Sequence, residues 1–123
     1  MVQCFLKWGV IMIRNIEIDK NGRVYIPKSI REQFDEHVII TYILKNEFIV
    51  RNENNFHPEE ILVSNKLPKD RLRKVFRFVC TNSFSVNLCS GVIKLPDSII
   101  EKLTDSNCKF IFRTNEYYKT LKK

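Results

Sequence analysis

Hydrophobic and polar residues alternate in short runs along this chain, and helical spacing surfaces only between them. Ile16 and Ile18 alternate with Glu17 and Asp19, the period of a half-buried strand. Lys20-Asn21-Gly22 breaks the run with residues suited to positive φ, and Val24-Tyr25-Ile26 resumes as a returning strand. Pro27 follows where a first helical residue is well tolerated, because its missing N–H would be unpaired there anyway. Ile30 and Phe34, four apart, predict the inner face of a short helix, with Lys28, Arg31 and Glu32 outside it. Residues 38–44 and 47–50 predict a hairpin about Lys45-Asn46.

The same order returns further on. A strand is expected near 84–88, a turn at Ser90-Gly91, a return over 92–95, and a helix opened by Pro96 and running through Leu103. Residues 109–113 are expected to pair with 116–118 about Thr114-Asn115. Between the two sets lie two helical stretches. Pro58 to about residue 66 carries Ile61 and Leu62 behind Glu59 and Glu60, acids that suit a helix start. From Pro68 to about residue 80, Leu72, Val75, Phe76 and Val79 recur at three- and four-residue intervals, with Lys69, Arg73, Lys74 and Arg77 mostly on the other side.

Laid over itself with a shift of 69 residues and no gap, the chain brings Gly22 onto Gly91 and Pro27 onto Pro96. Ser29 meets Ser98, Ile30 meets Ile99, Glu32 meets Glu101, Asn46 meets Asn115, Glu47 meets Glu116 and Phe48 meets Tyr117. Their shared offset reads as a duplication. The expected organisation is an N-terminal extension over 1–12, copy one over 13–52, connecting helices over 53–82 and copy two over 83–120. With no Gly/Ser-rich linker, the copies are expected to pack on each other.

Composition narrows the classes. In 123 residues, 44% hydrophobic content is enough for a packed core in one domain or two small repeats. The formal net charge of +7 points to an anionic partner, for which nucleic acid is the commonest choice in a soluble domain. Cys4, Cys80, Cys89 and Cys108 form no CxxC pair, and only His37 and His57 could join them, so no metal site is expected. Cys80, Cys89 and Cys108 read as reduced thiols filling apolar space, which fits a cytoplasmic protein. The opening MVQCFLKWGVIMI is interrupted by Lys7, too short to span a bilayer and without a small-residue cleavage site, so no membrane association is expected.

The run DKNGRVYIPKSIREQF, Asp19 to Phe34, resembles the signature of the AbrB-like swapped-hairpin DNA-binding family. Two copies separated by a helical segment such as DRLRKVFRFV resemble the MraZ branch, whose DxxxR motif is met here by Asp19 and Arg23. The resemblance covers about residues 13–120. It implies an α+β, mainly β fold: two pseudo-repeated swapped-hairpin units with short helices, forming a double-psi/AbrB-like β-barrel core joined by connecting helices. It further implies homo-oligomers, ring-shaped in that branch, and transcription regulation through double-stranded DNA at repeated promoter elements, in the cytoplasm and nucleoid. Copy two departs from the pattern: Leu88 falls on Asp19 and Val92 on Arg23, while Lys28 and Arg31 become Asp97 and Ile100. Allowing one inserted residue puts Asn87 in the Asp place, with no arginine either way. Copy two is therefore expected to be mainly structural.

Arg23 is the first candidate contact, since its fixed fork of donors can bond a guanine edge or clamp a phosphate. Lys20 on the turn can reach a phosphate, and Lys28 and Arg31 are expected to extend the same positive surface. Asp19 is expected to hold Arg23 or to cap the turn, with Gly22 and Pro27 shaping the motif. The plainer alternative makes Asp19 and Arg23 a surface ion pair and the lysines solubility charges. Lys69, Arg73, Lys74 and Arg77 offer an accessory basic face. No nucleophile–base grouping, P-loop or Rossmann glycine pattern is present, so neither an enzyme nor a cofactor or small-molecule substrate is expected; His57 beside Glu59 and Glu60 reads as a helix start. The rival reading is an antitoxin-like or structural protein-interaction module with nonspecific DNA affinity. Against it, only residues 119–123 trail the last expected strand, little for wrapping a toxin.

Overall fold

The structure is a computed structural model that describes residues 11–63 and 67–114. It is α+β and mainly strand. In chain order the elements are β1 (Ile11–Glu17), β2 (Arg23–Tyr25), α1 (Lys28–Arg31), β3 (His37–Tyr42), β4 (Glu47–Asn52), 3₁₀ turns over Glu53–Asn55 and Pro58–Val63, α2 (Lys69–Thr81), β5 (Ser83–Asn87), β6 (Val92–Lys94), α3 (Asp97–Ile100) and β7 (Asn107–Arg113). β1 starts at Ile11, so the last two residues of the expected extension belong to a strand. The expected return strand at 116–118 and the tail at 119–123 lie outside the described residues.

Strand positions follow the alternation, but the pairings are not those of neighbours in sequence. The hairpin about Lys45-Asn46 forms: both residues have positive φ, 49° and 64°, and β3 pairs antiparallel with β4. The returning strand over 24–26 does not fold back on β1. Instead β1 runs antiparallel to β7, β2 antiparallel to β6, and β5 antiparallel to β3. Burial explains the exchange. Paired across the two halves, Val24 faces Ile93, and Val24, Ile93, Ile26 and Leu95 all enter one core, at 3% exposure or less. A local two-stranded hairpin would leave one side of each in water.

The exchange is symmetric in register. Ile16 lies opposite Cys108 and Val86 opposite Val38, the same pair shifted by 70 residues. Ile26 N–H donates to the Gly91 carbonyl (2.8 Å) and Leu95 N–H to that of Gly22 (3.0 Å), related by a shift of 69. The strands thus repeat at 70 and the ribbon and short helices at 69. One residue is missing from the second turn, and one is added between α3 and β7.

Two sheets result. The larger is open and mixed, in the order β1-β7-β4-β3-β5, with β4 and β7 parallel; the smaller is the β2–β6 ribbon. Among the described residues no closed barrel is seen, contrary to the expected barrel core: β1 and β5 end the larger sheet, and the ribbon pairs only with itself. The core between them is shared by both halves. Phe48 stacks on Phe110 with centroids 4.8 Å apart, and Phe110 packs on Phe112, all fully buried. Burying side chains of this size stabilises by about 1.5–3 kcal/mol each.

The prolines sit one place earlier than expected, as N-caps: Pro27, Pro68 and Pro96 are extended, with ψ between 145° and 149°, and the helices begin at the next residue. α1 and α3 are single turns, and the expected helix from Pro58 is 3₁₀ as far as Val63. α2 buries Leu72 and half-buries Phe76 and Val79, while Val75, assigned to the inner stripe, is exposed. Cys108 fills core space as expected. Cys80 and Cys89 do not, because one lies on the outside of α2 and the other on a turn. Among the described residues no helix is long and apolar enough to cross a membrane, and no group of side chains could hold a metal ion.

Candidate nucleic-acid interface

The turn from Ile18 to Gly22 is built around one carboxylate. Ile18 is buried and donates its N–H to the Ser106 carbonyl at 2.8 Å, which fixes the end of β1. Asp19 Oδ1 then accepts the backbone N–H groups of Asn21 (2.8 Å) and Arg23 (2.9 Å), and the Tyr25 hydroxyl stands 3.5 Å from Oδ2. These bonds, that from Arg23 foremost, hold the Asp19 carboxyl below its ordinary range, and the nearby Arg23 guanidinium helps. Gly22 closes the turn at φ +77°, donating to the Asp19 carbonyl at 3.0 Å. Asp19 therefore caps the turn through the Arg23 backbone, and no ion pair joins the two side chains.

Past the turn, β2 alternates. Val24 points inward, and Arg23 and Tyr25 point outward and are exposed. Across the ribbon Arg23 lies opposite Lys94, and Tyr25 opposite Val92. Lys94 is an addition to the residues singled out in the sequence. Under the ungapped shift it falls on Tyr25, so motif matching passes over it. Alternation about Ile93 marks it as outward-facing, but only the strand partner reveals its neighbour. Its Nζ lies 3.5 Å from Asp97 Oδ1 and donates to its neighbour's carbonyl, Leu95 O, at 3.1 Å.

Lys28 and Arg31 do not join this surface. Arg31 is half-buried, with Nε donating to the Ile26 carbonyl (3.1 Å) and Nη1 reaching the Cys89 carbonyl (3.5 Å). It packs on Gly91, where an added Cβ would come within 2.9 Å of Cζ. Lys28 lies beside it on a cleft of about 260 Å³ that also takes in Glu32, Asp35, Glu36 and Cys89. The strand exchange is the cause: it sets α1 beside the second turn and α3 beside the first, where Ile100 approaches Gly22. Pro27 joins β2 to α1.

The second turn has no formal charge of its own. Asn87 Oδ1 accepts the Cys89 N–H (2.7 Å), Ser90 Oγ accepts the Val92 N–H (3.3 Å), and Gly91 donates to the Leu88 carbonyl at φ +75°. Glu36 accepts from Asn87 Nδ2 at 3.1 Å. That bond, with one from the Cys89 thiol, lowers the Glu36 carboxyl, while desolvation and Glu36 push the Cys89 thiol up.

Lys69, Arg73, Lys74 and Arg77 are all exposed on α2, away from buried Leu72. His57 Nδ1 lies 3.6 Å from Glu59 Oε1 at the start of the 3₁₀ turn, both side chains open to solvent.

Residues 13–70, just under half of the chain, match the model of a family described as "MraZ protein, putative antitoxin-like". The matched stretch contains the first turn, β2 and α1, and ends before the second turn. No curated protein matches the chain.

Proposed function

We propose, taking that likeness as the premise, that this protein is a sequence-specific DNA-binding transcriptional regulator that works through its first turn and the outer face of the ribbon. The observation that carries the reading is Arg23: exposed on a short ribbon, with no ion-pair partner among the described residues and its backbone locked by Asp19. A two-stranded ribbon fits the major groove, where an arginine fork can bond the O6 and N7 of guanine. Lys20, exposed on the turn, supplies a phosphate contact that sets register without reading sequence. The two halves derive from one duplicated swapped-hairpin unit, and the second has kept the shape and lost the motif. Assembly into a ring and work at the nucleoid follow from the family resemblance.

The test is binding of the full chain to promoter DNA from its own locus, against scrambled DNA, across a salt series. Arg23→Ala is expected to weaken specific binding by about 1–3 kcal/mol, five- to more than a hundred-fold, with the fold intact. Equal binding to both DNAs, unaltered by Arg23→Ala, would reduce the +7 charge to nonspecific attraction. The second reading, an antitoxin-like or structural interaction module, draws on the family's description and on the acids Glu32, Asp35 and Glu36 gathered beside the second turn.

A further inference from the structure

We infer that Lys94, contributed by the second half of the chain, is a DNA-contacting residue that works beside Arg23, so that the contact charge of both halves is collected at one end of the ribbon. The inference rests on the DNA-binding reading above. Strict two-fold repetition would place the counterpart of Arg23 at position 92, opposite Tyr25 and at the far end of the ribbon, but that residue is Val92. Lys94 takes the place of Tyr25, and the antiparallel register returns it to the end where Arg23 stands. With Val24 and Ile93 both buried beneath them, Arg23 and Lys94 must face outward together.

Directly opposed side chains in such a ribbon have Cβ atoms about 4.5–5.5 Å apart, and like charges so placed oppose folding. The pair is therefore not explained by stability, and a polyanion bridging the two would relieve it. The two cations suit different parts of DNA. Arginine's planar fork matches a base edge, whereas lysine's compact ammonium serves as a point charge for phosphate. Asp97, 3.5 Å from Lys94 Nζ and itself well exposed, draws the ammonium toward the start of α3, beside Gly22 of the first turn, in the free protein. An exposed pair of this kind is weak enough for a phosphate to displace it.

The experiment measures the anisotropy of a labelled promoter fragment across a salt series with the full chain and its Lys94→Ala, Lys94→Met, Asp97→Asn, Val92→Ala and Arg23→Ala variants. Lys94→Ala and Lys94→Met are expected to weaken binding about tenfold and to lower the salt slope by about one. Asp97→Asn is expected to tighten binding, and Val92→Ala to leave affinity and slope unchanged. Lys94→Met keeps the aliphatic stem, so a loss shared with Lys94→Ala at unchanged melting temperature is one of charge. Wild-type affinity and slope in both Lys94 variants, alongside loss in Arg23→Ala, would overturn the inference and leave the DNA reading standing. A wild-type chain without preference for its own promoter would overturn that reading, and the inference with it.

Discussion

The two turns of this protein reach one backbone shape by different chemistry. From Ile18 to Gly22 the first is one residue longer than the second, from Leu88 to Gly91. Both begin at a buried residue and end at a glycine, with φ near +77° and +75°. In the first, one carboxylate accepts two backbone N–H groups; in the second, Asn87 and Ser90 take one each. Shape is thus set by the buried flanks and the glycine, which leaves the turn's charge free to vary. The first turn carries Asp19 and Lys20 and leads into Arg23, whereas between its ends the second has only Cys89 and Ser90. A scaffold of this kind can hold a charged surface beside one turn while the other turn serves chiefly as structure.

That division fails first where the turns share support. Ile93 and Val24 face each other beneath the ribbon at 2% and 0% exposure. Ile93→Ala is expected to cost about 2–5 kcal/mol, and Val24→Ala less, because fewer buried atoms are removed. Because the two side chains face each other across the ribbon, the double variant should depart from additivity, which chemical denaturation of all three would measure. Additive losses would mean that each turn stands on its own half of the core.

The glycines are the next test. Alanine at either position meets the left-handed backbone penalty of about 1–2 kcal/mol. The neighbours differ: a Cβ at Gly22 would come within 2.5 Å of the end of the Ile100 side chain, and one at Gly91 within 2.9 Å of the Arg31 guanidinium. Gly91→Ala is expected to lower the melting temperature at least as far as Gly22→Ala, since moving Arg31 endangers its bond to the Ile26 carbonyl. DNA binding should reverse the order, with only Gly22→Ala weakening it. Similar binding losses in both variants would place contact at both turns.

How much of this was legible in the sequence depends on range. Alternation about Ile16 and Val24, the glycines of both turns, the hairpin at Lys45-Asn46 and the stripe through Leu72 are local signals, and each marks its element to within a few residues. Pairing is not local. Nothing between Glu17 and Ile26 distinguishes a strand that folds back from one that crosses to residues 107–113, because a half-buried strand carries the same period with either partner. Where the candidate residues stand relative to Arg23 turns on that one ambiguity. Lys28 and Arg31 are close to Arg23 in sequence but stand by the other turn, and Lys94, remote in sequence, lies across from it. The shift of 69 hid the missing turn residue, since it matches the ribbon and short helices and misaligns the strands by one.

The finest distinction between the turns is whether the cap can titrate. Asp19 is held below its ordinary value of 3.8 by backbone N–H donors, with the Arg23 guanidinium and the Tyr25 hydroxyl also facing it. A carboxyl whose folded pKa is depressed adds stability that is complete above its unfolded value and is lost as pH falls through the folded one. Asp19→Asn keeps an oxygen for the same two N–H groups but cannot ionise, which gives the first turn the kind of acceptor Asn87 provides in the second. At neutral pH the wild type is expected to melt slightly above Asp19→Asn, and the gap should close as pH drops below about 4. The converse change, Asn87→Asp, sets a second carboxylate against Glu36, now 3.1 Å away, and should destabilise the chain at neutral pH, with relief in acid. Thermal melts of the three proteins over that range separate the cases. A pH-independent gap for Asp19→Asn would mean that the first turn needs only an acceptor, leaving the two caps equivalent in all but charge.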